Sequence, residues 1–476
     1  MPEFKFTSTY DHPRTDVFDW HERPWAFWRL NPDFENLKVL NLTGGIETEG
    51  ARNTFRLKIG PLPRKMVAEH HGYVKHEAFN DTMVKGPFAK WNHVRAFEDE
   101  GDGTRLTENI DWRLPLHFLS GIPGGFIVRD RTRRIFHHRV RRLRADLARH
   151  AEFAHLPRKR VLVTGSTGAI GTQLCAFLST GGHEVVRLVR PSSELPADVG
   201  STVTWDPRTG DVVEGTLEGG FDAVINLAGA PLAGKRWSKA QKAKIIGSRS
   251  GVAARLLHAL KDADSLPEVF LQASAIGAYG DRKLDDTPLD ESSDWTEDFL
   301  SNVAQLWEAS SDVADELGVR RIVFRTGIVL NAAAGALPQY LPAFMVGGGG
   351  PVGSGKQVRS WISFDDEIYA IHHLMMTTEA EGIYNLTAPE PVTEKVFAKT
   401  LGRVLRRPSL IPAPGLAVRI LFGEMGVFLG LHGQKVLPTR LQELGYRFEH
   451  TDLAQALMDT LGRWPKDQSH SLLGIQ

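Results

Sequence analysis

Apolar positions along this chain change rhythm twice. Beyond residue 158 they fall in short unbroken runs such as Val161-Leu162-Val163, separated by stretches with apolar residues at helical intervals. Such runs read as strands buried on both faces, and their alternation with helices predicts a doubly wound parallel α/β sheet. The predicted strands are Arg160–Thr164, Glu184–Val189, Thr202–Trp205, Ala223–Leu227, Val269–Ala273, Arg321–Arg325 and Gly382–Leu386. The first 150 residues differ. They predict a strand (Phe4–Thr9), a helical stretch (Thr15–Leu30), several short strands, and a long last helix. That helix carries Phe136, Val140, Leu143 and Leu147 as an apolar stripe. From about residue 405, Pro408, Pro412 and Pro414 lead into short helical segments, and Leu437–Tyr446 closes a small subdomain. Three parts are expected, at 1–152, 159–404 and 405–476, with His150–Arg158 as a linker and separate cores on either side of it.

Composition narrows the function classes. Lys+Arg and Asp+Glu both total 57 in 476 residues, so net charge gives no support for nucleic acid or an anionic membrane as the main partner. The last helix of the first part does hold nine Arg against two Asp between Arg129 and Arg149. Its apolar stripe argues that one face packs on a sheet and that the arginines form the solvated face, so no nucleic acid partner is expected. The single cysteine, Cys175, is read as core packing. No run of 18 apolar residues occurs. The nearest candidate, Leu416–Leu431, contains Arg419 and Glu424 and is punctuated by glycine. No membrane span and a cytoplasmic location are expected. His21, His70, His71, His76 and His93 lack metal-ligand spacing, so no metal is expected.

The most informative stretch is Val161-Leu162-Val163-Thr164-Gly165-Ser166-Thr167-Gly168-Ala169-Ile170-Gly171. A strand, a glycine turn and a helix in succession aim free backbone N–H groups and the positive end of a helix dipole at one point. That point suits a dinucleotide's pyrophosphate. An NAD site usually ends its second strand in Asp or Glu, for the ribose 2′-hydroxyl. Here the strand ends Val189-Arg190-Pro191, and Arg190 suits a 2′-phosphate. NADP is the expected cofactor, ahead of NAD.

Further motifs carry a resemblance. Asn226-Leu227-Ala228-Gly229 follows the fourth strand, and Arg325-Thr326-Gly327 and Trp361-Ile362-Ser363-Phe364-Asp365-Asp366 follow later. Residues 161–386 resemble the extended short-chain dehydrogenase/reductase superfamily, a Rossmann fold, in which Leu227, Ala228 and Gly229 would line the adenosine pocket. Trp205-Asp206-Pro207, Lys235-Arg236-Trp237, Ala273–Gly280 and Gly353–Gln357 look more closely like an epimerase-like subgroup of uncharacterised activity with a small C-terminal domain. The superfamily's catalytic Tyr and Lys, four apart on a helix, are missing: Leu300 and Ala304 stand in their places. The literal Tyr279-x-x-x-Lys283 is read as a coincidence of spacing. Ser274, at a strand end, and Tyr279 are the expected catalytic residues. Lys235, Arg236, Arg249, Gln357 and Arg359 are expected to cradle a substrate phosphate or carboxylate, and Gly347–Gly350 to form a mobile loop over it.

Residues 3–150, with Trp20-His21-Glu22-Arg23-Pro24 and Gly86–His93, resemble START-like helix-grip domains of the polyketide cyclase/dehydrase type. That resemblance implies an apolar cavity for a hydrophobic small molecule. The expected protein is an NADP-dependent oxidoreductase or epimerase-like enzyme acting on a small-molecule substrate of lipophilic character. The alternative is a non-catalytic NADP(H)-binding sensor. Oligomeric state is open.

Overall fold

The computed structural model describes residues 3–474, apart from 36, 60–61, 116–123, 194–199, 214–216 and 283–285. Lys283 therefore lies outside the described residues.

Period-2 alternation builds the first part. Strands β1 (Glu3–Tyr10), β2 (Lys38–Leu42), β3 (Arg52–Ile59), β4 (Leu62–Val74), β5 (Ala78–Lys85), β6 (Lys90–Glu100) and β7 (Gly103–Arg113) form one sheet in the order β1-β7-β6-β5-β4-β3-β2, every pair antiparallel. Helices α1 (Arg14–Glu22) and α2 (Ala26–Arg29) follow β1, and α3 (Gly124–Glu152) follows β7. The predicted stripe of α3 is buried. Phe136 and Val140 pack with Phe6, Ile110 and Trp112, while Leu143 and Leu147 pack with Tyr10, Phe79 and Phe97. Between these apolar groups the inner face of the sheet is charged. His70 pairs across to Asp81 and Asp81 to His93, while Arg95 stands opposite Glu108. His93 lies 3.0 Å from Glu108 and Arg95 2.9 Å from Asp81.

The second part follows the predicted alternation. β8 (Arg160–Thr164), β9 (Glu184–Val189), β10 (Ser201–Thr204), β11 (Ala223–Asn226), β12 (Val269–Ala275), β13 (Arg320–Thr326) and a seventh strand at Gly382–Leu386 make one parallel sheet. Its order is β10-β9-β8-β11-β12-β13-Gly382–Leu386. The connecting helices include α4 (Ala169–Thr180), α5 (Lys239–Gly247), α6 (Val252–Asp262), α7 (Phe299–Ala309), α8 (Val313–Glu316), α9 (Leu337–Met345) and α10 (Phe364–Met376). The C-terminal region adds α11 (Glu394–Leu405), α12 (Gly415–Gly426), α13 (Thr439–Glu443), α14 (Leu453–Leu461) and α15 (Lys466–Leu473). Among the described residues no helix is long and apolar enough to cross a membrane.

Two expectations about packing are overturned. The arginines of α3 are not a solvated face. Arg134 donates to the carbonyls of Leu461 and Gly462, Arg141 to Asp459 at 2.7 Å, and Arg149 to the carbonyl of Arg447. Arg142 pairs with Asp365 at 2.8 Å. A sequence pattern marks a polar face but does not say whether water or another part of the chain lies across it. Nor are the two cores separate. Trp25, held at φ 75°, packs into the same cluster as Leu174 and Phe177 of α4. Arg29, fully buried, donates to both oxygens of Asp146 (2.9 and 2.5 Å) and to Gln173 (3.1 Å). α15 returns to pack on α3 and β1.

Candidate functional site

The glycine loop is built as its sequence requires. Gly165 has φ +65°, and a Cβ there would come within 2.7 Å of the Leu227 backbone. A Cβ on Gly171 would lie 2.3 Å from the Gly165 carbonyl, so the helix can approach the strand this closely only at glycine. Gly168 is the N-cap of α4 and no side chain caps it, leaving the first-turn N–H groups to point outward. Thr167, Gly168 and Ala169 are exposed, and Ile170 is half-buried. Thr164, Asn226 and Gln272 lock three neighbouring strands together beneath the loop. The Thr164 hydroxyl donates to Asn226 Oδ1 (2.6 Å), and Asn226 Nδ2 donates to Gln272 (2.9 Å). Leu227, Ala228 and Gly229 leave β11 directly beside the loop.

Two buried groups at the loop have polar atoms without a hydrogen-bond partner: Ser166 Oγ, and Nε and Nη1 of Arg187. Arg187 Nη2 makes one long bond to the Ser166 carbonyl (3.4 Å), and its guanidinium lies over the Trp25 ring, 4.8 Å from the centroid. Arg190 is exposed at the end of β9. A helix start with free N–H groups, a cradle that tolerates no Cβ at Gly165 or Gly171, and two nearby cations fit a phosphorylated dinucleotide. Arg187 escaped the sequence reading because its position inside β9 resembles any buried strand residue.

At the carboxyl ends of β12 and β13 the expected catalytic hydroxyls turn inward. Ser274 Oγ donates to Glu308 Oε1 at 2.5 Å. Arg325 donates to both oxygens of Glu308 (2.9 and 3.0 Å) and to the Tyr279 hydroxyl (2.9 Å). Tyr279 in turn donates to Asn385 Oδ1 at 2.8 Å and is fully buried. Burial, resisted by Arg325, holds the Tyr279 phenol above its ordinary range. This network fixes the floor of the site. Leu300 and Ala304 lie on α7 as expected, and Leu300 packs over Gly277.

The five expected substrate residues are not assembled into one cradle. Gln357 donates to the carbonyls of Val352 and Gly430, and Arg359 pairs with Glu394 at 2.7 Å and donates to the carbonyls of Leu429, Gly430 and His432. Both tie down the segment 429–432. Arg249 is buried against Trp307 and donates to the carbonyls of Ala230 and Ile245, and burial brings it down to about 10. Arg236 donates to the Ile420 carbonyl at 3.0 Å. Lys235 is exposed. Gly347–Gly350 is also not an open loop: Gly349 bridges to Ser409, and Ile411 N–H donates to the Gly349 carbonyl. Backbone pairing to a segment 60 residues away is invisible to local pattern.

What encloses the site is C-terminal. Phe428 packs on Trp237, which packs on Phe299, with Leu232, Leu300 and Met425 beside them. His432 meets Phe428 at a tilt (4.8 Å between ring centroids) and lies 3.6 Å from Asp281, just past Tyr279, while Gln434 donates to the Ile276 carbonyl. His432 Nδ1 is buried without a partner. This His–Asp pair unites residues 151 positions apart, and no spacing rule finds it.

These features define a nucleotide-binding α/β protein with an apolar, C-terminally capped site, and comparison with known proteins agrees. The NAD dependent epimerase/dehydratase family matches residues 161–387, and a domain of unknown function, DUF1731, matches residues 413–460. Epimerase family protein Mb2239 of Mycobacterium bovis is 37% identical over 297 residues, covering 62% of this chain and 96% of the relative. The chloroplastic SDR39U1 homologue of Arabidopsis thaliana is 36% identical, covering 62% of this chain and 85% of its own length. A nucleoside-diphosphate sugar epimerase from Corynebacterium glutamicum is similar in structure across 98% of this chain and 93% of its own (TM-score 0.78, 27% identity). That match takes in the N-terminal sheet. Human SDR39U1, solved with NADPH, matches over 64% of this chain and 100% of its own (TM-score 0.56, 32% identity). The chain belongs to the epimerase family.

Proposed function

We propose that the protein is an NADP(H)-dependent oxidoreductase or epimerase-like enzyme acting on a small molecule of apolar character. One observation carries the reading: a glycine cradle that admits no Cβ at Gly165 or Gly171 opens beside two arginines, Arg187 and Arg190, with no acid at the end of β9. NADPH in the structure of human SDR39U1 supports it. A nicotinamide cofactor supplies hydride chemistry when bound. The chain's own residues bind and orient it: Gly165–Gly171 at the pyrophosphate, Arg190 at a 2′-phosphate, Leu227–Gly229 beside the adenosine.

With Leu300 and Ala304 unable to move a proton, His432 and Asp281 are the titratable pair in the right corner, and His432 would exchange a proton with the substrate oxygen. Ser274 and Tyr279 act in this reading as positioning residues, through Glu308 and Arg325. Phe299, Trp237 and Phe428 would exclude water and favour an apolar substrate. The antiparallel sheet and α3 form a START-like ligand-binding domain, in which the charged row from His70 to Glu108 would orient a hydrophobic ligand by its polar group. The proposed domain limits are 1–152, 159–404 and 405–476.

Calorimetric titration with NADPH and NADH, followed by cofactor turnover against lipophilic carbonyls and sugar nucleotides, tests the reading. Preference for NADPH and turnover that falls about 100-fold in His432→Asn support it. Equal affinities for the two cofactors overturn the NADP assignment. Tight NADPH binding with no turnover on any substrate favours the sensor.

A further inference from the structure

The strongest feature outside the candidate site is a surface. Between Lys395 and Gly423 the chain has no Asp or Glu and six Lys or Arg: Lys395, Lys399, Arg403, Arg406, Arg407 and Arg419. All six are exposed. The same stretch exposes large apolar side chains that a folded protein ordinarily buries, including Leu410 (82%), Leu416 (70%), Ile420 and Leu421. Val346 (84%) joins them, because residues 409–413 run beside 349–352 through the Gly349–Ser409 and Val352–Ala413 bridges. On α12 the side chains of Leu416 and Ile420 stand one helical turn apart, with Arg419 on their flank and Val418 buried beneath.

Contiguous exposed apolar surface of this kind marks an interaction site. The charge around it decides between partners. In a twofold contact with a second copy, the six cations would face their own counterparts. An anionic lipid surface reverses that sign, and an apolar stripe flanked by Lys and Arg is the pattern of a helix lying in a membrane interface. We propose that this face, formed by α12, the 406–413 segment and the end of α9, docks the protein on an anionic bilayer. The docked face adjoins the capped site, since Arg236 holds the Ile420 carbonyl and Phe428 lines the apolar wall. An apolar substrate could then enter from the lipid side.

Co-sedimentation of the full chain with phosphatidylcholine vesicles, with and without phosphatidylglycerol, tests the proposal. The expected result is binding to the anionic vesicles roughly tenfold or more above the neutral ones, weakening as salt rises. Leu416→Ser/Ile420→Ser and Arg406→Glu/Arg407→Glu should each lose most of that binding without a change in melting temperature, because all four side chains are exposed. Should the Leu/Ile variant fail to fold, the arginine variant and the salt titration decide alone. No binding to anionic vesicles, or equal binding by the Arg406→Glu/Arg407→Glu variant, overturns the proposal. So does a dimer in vesicle-free buffer that the Leu416→Ser/Ile420→Ser variant abolishes.

Discussion

Single side chains set the most direct tests. Arg190→Ala should weaken NADPH by about 1.5–3 kcal/mol, the worth of a charge-assisted contact, and NADH much less, as calorimetry would read. Glu367 offers a test of stability. Burial, against one hydrogen bond from Thr326 (2.8 Å), pushes its carboxyl up to about 8. The folded chain keeps that proton at neutral pH, while the unfolded chain releases it above about 4.3. The stability this contributes is full below the unfolded value and drains away as pH climbs through 8. Glu367→Gln should therefore gain on wild type by about 2–4 kcal/mol between pH 5 and pH 9, measured as the difference between their denaturant midpoints. Some of this residue-level chemistry was legible in the sequence. The glycine spacing, Arg190, and the loss of the Tyr–Lys pair are local facts. Glu308 with Arg325, and His432 with Asp281, are partners only after folding, so sequence points to Ser274 and Tyr279 as catalytic hydroxyls without showing the groups that engage them.

Elements tell a similar story. Strands β8 and β9 and the strand Gly382–Leu386 begin and end where the apolar runs predict, because strands covered on both faces are mostly apolar along their length. β12 and β13 each run two residues longer than expected, and two of the extra residues, Ser274 and Thr326, carry hydroxyls paired with the buried carboxyls of Glu308 and Glu367, which apolar pattern does not register. The loop before α4 separates folding from binding. A Cβ on Gly168 would meet only the Gly165 carbonyl, at 3.3 Å, and otherwise open space. Gly168→Val should fold normally yet lose NADPH binding in calorimetry, because its side chain fills the phosphate's approach. Gly165→Ala and Gly171→Ala should lower the melting temperature itself, at a cost of about 2 kcal/mol or more, by clashing with backbone. On α3, the arginine face reads as solvent-exposed from sequence because charge alone carries no record of what it will meet.

At the scale of the whole molecule, the N-terminal sheet, the parallel sheet and the C-terminal helices share buried contacts. His450 shows how closely. Burial would lower its pKa, but hydrogen bonds and charge from Asp366 and Asp459 carry it up to about 10, and Asp459 also accepts from Arg141 of α3. The chain should melt in one calorimetric transition, not as separable N-terminal and nucleotide-binding units; two resolved transitions would contradict the shared core. Trp25 extends this to protein engineering. With its backbone turned left-handed, that indole completes the outer wall of α4, and Arg29 caps Gln173 beside it. Anyone grafting the nucleotide-binding portion onto another host would cut at the linker near residue 155, and the transplant would uncover the side of Phe177 that Arg29 and His150 cover. The portable unit includes residues 14–30, and a fragment cut without them should precipitate where one that carries the wedge stays monodisperse.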